Sequence, residues 1–176
     1  MKTCFLFFML LAAIARAEDP AEFEVGPYKF KRPADWQWVQ VTSPMRKAQL
    51  NVPGRDNTTK PAEVTFFIFG SGAGGVEANV QRWLGQFDAK PDAAKKETKE
   101  LSGTKVTFVS TEGTFHSGMP GGPTTAMPDY ALRGAILDAG GDELIFVKMT
   151  GPAAVVKEAE KPFQEMVSSA AASRKK

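Results

Sequence analysis

The side chains best suited to chemistry in this sequence lie close together, between residues 116 and 127. His116 is the only histidine, and Met119 and Met127 follow it in a stretch rich in glycine and proline. One imidazole and two soft thioethers can bind Cu(I), so these three residues form a candidate copper site. Methionines beside glycine and proline more often fill gaps or lie on an adaptable surface, and this alternative stays open.

The histidine and serine residues indicate no active site. A metal cluster built on several histidines is excluded, because His116 is alone. No serine lies in a G-x-S-x-G motif, and Ser43, Ser71 and Ser117 have no recognisable partner base. We therefore predict that the chain is not an enzyme. A hydrolase built on two convergent carboxylates in a cleft is the remaining catalytic alternative.

Residues 70 to 75 spell the motif G-x-G-x-x-G between a predicted strand and a predicted helix. Backbone amides at the start of a helix can hold a pyrophosphate, so the motif is a candidate dinucleotide-binding loop. The complete unit also needs an acidic residue at the end of a second buried strand, about 20 residues further on. Residues 90 to 100 are charged and predict no such strand. We therefore interpret the glycines as a flexible strand-to-helix connection, and we expect no cofactor.

Two further clusters have a structural explanation. Asp138, Asp142 and Glu143 lack the spacing of a calcium-binding loop, and aspartate with glycine is typical of a tight turn. Trp36 and Trp38 are two residues apart and would present adjacent rings on one face of a strand, as sugar-binding or peptide-binding platforms do. The interpretation that we favour is that these rings cover the core of a sheet.

Strands and two helices must position these residues. The pattern predicts strands over residues 46–52, 64–69, 105–115, 130–137 and 143–149. The stretch 64–69 is apolar on both alternating sets, so we expect it in the middle of the sheet. An amphipathic helix is predicted from about residue 75 to 87. A second helix opens at Pro152, and Pro162 should bend or interrupt it.

The segments between these elements are predicted from glycine, proline and charge. Residues 23–30 predict a short strand broken by Gly26-Pro27, and residues 36–41 predict another strand. Residues 138–142 should join the last two strands as an antiparallel hairpin. We expect residues 90–100 to form an exposed helix or a mobile loop, and residues 117–129 to form a long loop.

The first 17 residues have the layout of a signal peptide. Lys2 precedes an apolar run of about a dozen residues, and Ala15-Arg16-Ala17 matches a cleavage site. We therefore predict a signal peptide over residues 1–17 and a single globular α+β domain over residues 18–176. The exported product should be periplasmic or extracellular.

Removal of the signal peptide changes the charge and the cysteine content. The loss of Lys2 and Arg16 leaves 20 basic residues against 20 acidic residues, which argues against a nucleic-acid partner. Cys4 is the only cysteine, so the mature chain has no disulfide. Asn57-Thr58-Thr59 is a glycosylation acceptor if the host glycosylates exported proteins. No later apolar run approaches about 18 residues, so we expect no membrane span in the mature chain.

The two ends of the mature sequence carry a resemblance to a known family. Residues 144–152, LIFVKMTGP, are followed by Val155, Phe163 and Ser168-Ser169, and the sequence near the start reads FKRPADW over residues 30–36. These segments resemble the closing and opening segments of PsbP-like domains, and also small uncharacterised exported bacterial proteins. The resemblance implies an α/β/α sandwich, with a mainly antiparallel β-sheet and helices on its faces. The metal-associated histidines of that family have no counterpart here, so no site residue carries over.

These observations together favour a binding function over a catalytic one. The resemblance implies a non-catalytic exported binding or accessory module that contacts protein partners in the cell envelope. We expect such contacts to use surface loops and the exposed edge of the sheet. The alternative is a carrier of a metal such as copper, or of a small ligand, that uses the loop of residues 116–127 with His116, Met119 and Met127.

Overall fold

The computed structural model describes residues 19–56, 59–90, 92–118, 122–138 and 140–174. The predicted signal peptide, Asn57 and Met119 lie outside these ranges. The described chain begins with a hairpin of two strands, β1 (Glu22–Val25) and β2 (Tyr28–Lys31), which pair in antiparallel register. The predicted break at Gly26-Pro27 is thus the turn of this hairpin, and Gly26 supplies the positive φ of 57° that the turn needs.

A second, eight-stranded sheet forms the centre of the fold, and all its strand pairs are antiparallel. Its strands are β3 (Gln37–Trp38), β4 (Arg46–Val52), β5 (Ala62–Gly70), β6 (Phe87–Asp88), β7 (Lys95–Leu101), β8 (Thr104–Gly118), β9 (Thr124–Asp138) and β10 (Glu143–Pro152). The order is β3-β4-β5-β10-β9-β8-β6, and β7 also pairs with β8. β5 is an interior strand as predicted, but the central strand is β10. The predicted strand over residues 36–41 is reduced to the two residues of β3.

Three helices pack on the two faces of this sheet: α1 (Gly75–Leu84), α2 (Ala153–Glu158) and α3 (Glu160–Ala172). The first face carries alternate residues such as Phe66 and Val147, and it is covered by the β1-β2 hairpin, α2 and α3. The second face carries Phe146, and α1 covers it through Trp83, whose ring centroid is 6.0 Å from that of Phe146. The predicted α+β fold, an antiparallel sheet between helices, is confirmed.

The closing helix is interrupted as Pro162 predicts. α2 ends at Glu158, Ala159 separates the two helices, and Pro162 is the third residue of α3. A proline has no N–H to donate, and its ring clashes with the carbonyl group four residues earlier, here that of Glu158. No helix in the described ranges combines the length and the apolar character that a membrane span requires.

The prediction for residues 90–100 was wrong, because most of this segment is strand β7. It pairs with β8 from Lys95 opposite Ser110 to Leu101 opposite Thr104. The side chains from Lys95 to Glu100 are all exposed, so the strand carries no apolar alternation that could reveal it. An edge strand with exposed side chains can be mostly charged, and in β7 five of the six residues from Lys95 to Glu100 are charged.

The loop predicted over residues 117–129 is largely a continuation of β8 and β9. We call the outer part of this hairpin, residues 114–118 and 124–129, the arm. At its base the register shifts, because Gly113 faces Tyr130 whereas Phe115 faces Met127. The extra residue in β9 makes a β-bulge in which Asp129 has a φ of 56°. Glycine and proline predicted a loop, but Pro128 lies within this bulge, where a strand tolerates proline.

Candidate functional site

The arm and the second face of the sheet enclose a pocket of about 350 Å³. We call it the Lys148 pocket. Its lining side chains come from β4, β5, β10 and the two strands of the arm hairpin: Arg46, Glu63, Thr65, Phe67, Phe115, Ser117, Tyr130, Lys148 and Thr150. This volume lies within the range of small-molecule sites in proteins.

The pocket exists because the arm curves over the sheet. β4 and β8 are separated by three strands, which would place them about 19 Å apart in a flat sheet with 4.8 Å between strands. Arg46 of β4 and Ser117 of β8 nevertheless line the same pocket. The bulge at Asp129 lies where the arm leaves the body of the sheet, and bulges bend the strands that contain them.

The side chain of Lys148 lies at the boundary between this pocket and the area under α1. Its Nζ donates a hydrogen bond of 2.5 Å to Oε1 of Gln86 and lies 5.3 Å from the ring centroid of Phe115. No carboxylate oxygen of the described residues lies within 4 Å of this Nζ. Burial lowers the pKa of Lys148 from 10.5 to about 8, and the negative charge of Glu63 partly opposes this shift. The side chain of Lys148 is only partly exposed, so at neutral pH its ammonium is a partly desolvated cation.

Glu63 lies in the pocket, but its charge is already neutralised by other groups. Its Oε2 accepts hydrogen bonds from Nη1 of Arg46 at 3.1 Å and from Nε2 of Gln49 at 2.8 Å. Nη1 of Arg46 also donates to Oε1 of Gln49 at 2.5 Å. These three side chains form a closed network, so the positive charge of Lys148 is the unmatched charge of the site.

Two threonine hydroxyl groups complete the polar part of the pocket. Oγ1 of Thr65 donates a hydrogen bond of 3.3 Å to the carbonyl oxygen of Lys148. Oγ1 of Thr150 is buried and has no hydrogen-bond partner among the described residues. Thr150 follows Lys148 by two residues on β10, so both side chains project from the same face of the sheet. An ammonium and a free hydroxyl group on one face can together hold an anion.

The rest of the wall is aromatic. The rings of Phe115 and Tyr130 are nearly parallel, with an angle of 13° and 6.1 Å between centroids, and Phe115 also contacts Phe87. Burial raises the pKa of Tyr130, so its hydroxyl group stays protonated at neutral pH. The pocket therefore combines an aromatic wall with one cation, Lys148, that has no ion-pair partner among the described residues.

The candidate copper ligands are placed on different faces of the arm. His116 pairs with Ala126 and its Nε2 lies 2.7 Å from Oδ2 of Asp88, whereas Met127 pairs with the preceding residue, Phe115. Because side chains alternate along a strand, His116 and Met127 project to opposite faces. Within the described ranges, no three histidine, cysteine, aspartate or glutamate side chains come together as a metal site would require. The contribution of Met119 stays a prediction.

The glycine motif forms the connection that the sequence predicts. It links the end of β5 to α1 through a short 3-10 turn, and Gly74 caps the helix with a φ of 96°. Asn79 closes this connection by donating to the carbonyl oxygens of Ala73 and Gly75. β5 has antiparallel partners on both sides, which is incompatible with the parallel strand unit of a dinucleotide site.

The two other clusters have the predicted structural roles. Trp36 is buried, and Trp38 packs edge-on against Phe23 with 5.2 Å between ring centroids, so both tryptophans belong to the core. Oδ1 of Asp138 accepts a hydrogen bond from the backbone N–H of Gly140, which is the expected chemistry of a turn.

Lys148 is absent from the predicted site residues, although the sequence contains a signal for it. Lys148 is the one charged residue in the run Leu144 to Met149, which is otherwise apolar. A lysine in a central strand must either reach water at the edge of a helix or face a polar pocket. That signal could have placed the site before the structure was known.

The comparisons with known proteins concern structure alone. No family model matches this sequence, and no curated protein matches it. The solution structure of cyanobacterial PsbP (CyanoP) from Synechocystis sp. PCC 6803 is 13% identical and aligns over 90% of this chain and 96% of that chain, with a TM-score of 0.51. A protein of unknown function from Pseudomonas aeruginosa is 13% identical over 84% of this chain and 92% of that chain, with a TM-score of 0.48. The chain has a PsbP-like fold, and this likeness concerns the fold alone.

Proposed function

We propose that this chain is a non-catalytic, exported binding module that holds a small anionic ligand in the Lys148 pocket. The observation that carries the proposal is the ammonium group of Lys148, which is withdrawn from water without a carboxylate partner among the described residues. A buried cation without a direct ion-pair partner is unfavourable. The negative charge of Glu63 offsets this cost only in part, and an anion in the pocket would offset the rest.

The geometry favours binding over catalysis. General acid–base catalysis needs a proton donor or acceptor within hydrogen-bond reach of the reacting group and of a second functional group. The side-chain partner of Lys148 is the amide of Gln86, which does not titrate, and Glu63 is held by Arg46 and Gln49. These contacts support a role for Lys148 in binding an anion and not in proton transfer.

Of the two functions that the sequence leaves open, the pocket supports the small-ligand carrier. The ligand site differs from the expected one, because it uses Lys148 and the inner face of the arm instead of His116. A protein partner in the cell envelope is the second candidate. Support for this candidate comes from the outer end of the arm, where Thr124, Thr125 and Ala126 are exposed and β9 pairs with β8 but not with β10.

Thermal unfolding of the purified protein with a panel of small molecules tests the proposal. The panel contains inorganic phosphate, citrate, and aliphatic and aromatic carboxylates, each beside a neutral analogue. A ligand at a hundred times its Kd stabilises the folded state by about 2.7 kcal/mol, which raises the Tm by several degrees. We expect this shift for anions only, and we expect it to disappear in Lys148→Met but not in Lys161→Met, an exposed lysine on α3. If no anion raises the Tm, the proposal is wrong.

A further inference from the structure

The charge of the Lys148 pocket limits its occupant to a single negative charge. Arg46, Gln49 and Glu63 satisfy one another, so the unmatched charge of the pocket is the ammonium of Lys148. An occupant with one negative charge balances that ammonium. A dianion such as hydrogen phosphate would leave one negative charge in excess in the pocket, which is unfavourable where water is partly excluded.

The donors of the pocket match the two oxygens of a carboxylate. Lys148 supplies N–H donors, and Oγ1 of Thr150, two residues further along the same face, is free to donate. Neighbouring residues on one face of a strand are about 7 Å apart at their Cα atoms, and the longer lysine side chain can lean toward the threonine. A carboxylate that reaches both groups would give Oγ1 of Thr150, which is buried and has no partner among the described residues, the hydrogen bond that it lacks.

The walls of the pocket indicate what is attached to that carboxylate. Phe67, Phe115 and Tyr130 contribute aromatic surface beside the polar groups. Aromatic rings pack favourably against one another in offset or edge-on arrangements, beyond the effect of the area that they bury. A volume of about 350 Å³ is sufficient for one ring with a short acidic side chain.

We infer that the Lys148 pocket binds a monocarboxylate that carries an aromatic ring, with the carboxylate on Lys148 and Thr150 and the ring against Phe67, Phe115 and Tyr130. This inference rests on the proposed function and names its ligand class. The same chemistry occurs in a free aromatic acid and at the carboxyl terminus of a peptide that ends in phenylalanine or tyrosine.

Titration with phenylacetate, followed by the chemical shifts of backbone amides, tests this inference. Phenylacetamide has nearly the same shape without the charge, and inorganic phosphate has charge without the ring. We expect phenylacetate to bind at least tenfold more tightly than either compound, with the largest shifts in β10 and the arm. Equal binding of phenylacetamide, or tighter binding of phosphate, would overturn the inference. Tighter binding of phosphate would leave the proposed anion carrier intact, whereas binding of neither anion contradicts both.

Substitutions of the pocket residues show which side chains contact phenylacetate. Lys148→Met keeps the length of the side chain and removes its charge, and we expect it to weaken phenylacetate binding at least tenfold. Thr150→Val removes one hydroxyl group at nearly constant shape, and we expect binding to weaken about three- to tenfold, as for the loss of one hydrogen bond. Lys161→Met is the matched control on the opposite side of the molecule. If both Lys148→Met and Thr150→Val bind phenylacetate as tightly as the wild type, the inference is wrong. If one of the two variants does not fold, the affinity of the other one decides.

Peptide ligands in the same titration distinguish the two sources of the carboxylate. The tripeptide Gly-Gly-Phe is compared with its carboxyl-terminal amide and with phenylacetate. Tighter binding of the free tripeptide than of phenylacetate assigns the pocket to the end of a protein chain. Weaker binding assigns it to a free aromatic acid. Binding of the tripeptide amide with undiminished affinity counts against the inference, because the carboxylate would then contribute nothing.

Discussion

The indole ring of Trp83 lies directly against the backbone of Gly134. A Cβ atom at position 134 would be 2.4 Å from Cζ3 and 2.7 Å from Cε3 of this ring, closer than real Cβ contacts come. Gly134 is opposite Lys148 in the pairing of β9 with β10. The glycine therefore lets α1 approach the second face of the sheet next to the Lys148 pocket.

We expect Gly134→Ala to lower the free energy of unfolding by about 1–3 kcal/mol, because the indole must move away from its packed position. Urea unfolding at neutral pH measures this change. Gly141→Ala is the control, because a Cβ there meets nothing within 4 Å. Equal effects of the two substitutions would contradict the close contact between Trp83 and residue 134.

Lys148 should make the free energy of unfolding depend on pH in the alkaline range. Its pKa is about 8 in the folded chain and near 10.5 when unfolded, so between these values the unfolded chain holds a proton that the folded chain has released. Stability therefore rises with pH across this window, by on the order of 3 kcal/mol in total, and below about pH 8 Lys148 adds no slope. Urea unfolding of the wild type and of Lys148→Met, compared between about pH 7 and pH 10, measures the rise as a difference.

The control for this comparison is Lys161→Met, which should keep the alkaline rise. Parallel pH profiles for the wild type and Lys148→Met would show that Lys148 has an ordinary pKa in the folded chain. In that case the ammonium of Lys148 is well hydrated, and the pocket has no unmatched charge that would bind an anion.

Glu112 should make the free energy of unfolding depend on pH in the acidic range. The hydrogen bond from Lys157 lowers its pKa below 4.5, and a further hydrogen bond from Arg133 acts in the same direction. The folded state therefore binds this proton less readily than the unfolded state, so the stabilisation is present above pH 4.5 and is lost as the pH falls through the folded value. We expect Glu112→Gln to reduce the loss of stability on acidification, measured by urea unfolding from about pH 7 to pH 3.

Glu165→Gln is the matched substitution for Glu112→Gln, since Glu165 is exposed and lies 3.9 Å from Lys161. Its acid profile should follow that of the wild type. An identical profile for Glu112→Gln would mean that the contacts with Lys157 and Arg133 contribute nothing to stability.

Binding of Cu(I), if it occurs, should not depend on His116 and Met127 together. These side chains project to opposite faces of the arm, so one ion does not reach both in this arrangement. We expect Met127→Leu to leave the affinity for Cu(I) unchanged in a competition titration with a chelator of known affinity. A loss of affinity in both Met127→Leu and His116→Ala would show that the arm rearranges to bring the two ligands together.

Apolar patterning predicted the interior of this fold, and it failed at the surface. Five strands and the interruption before Pro162 follow from patterns that burial imposes on the sequence. β7 was missed because both of its faces are exposed, so its residues 95–100 carry no signal of a buried side. The arm was missed because glycine and proline indicate loops unless a bulge accommodates them, and a bulge is defined by the partner strand.

The site is harder to predict than the fold, because its residues are distant in the sequence. Arg46, Glu63, Ser117 and Lys148 belong to four strands, and only the curvature of the arm brings them around one pocket. The predicted site centres on His116, a residue type with strong chemistry, which the structure places beside Asp88 on the other face of the arm. Lysine within an apolar strand was the one local clue to the actual pocket.

The charged strand β7 also determines how these molecules behave toward one another. It pairs with β8 on one side, and every side chain from Lys95 to Glu100 is exposed. A second chain that extended the sheet at this border would have to strip water from three lysines and two glutamates, which opposes the addition. The charges of β7 therefore disfavour growth of the sheet into fibrils along this border.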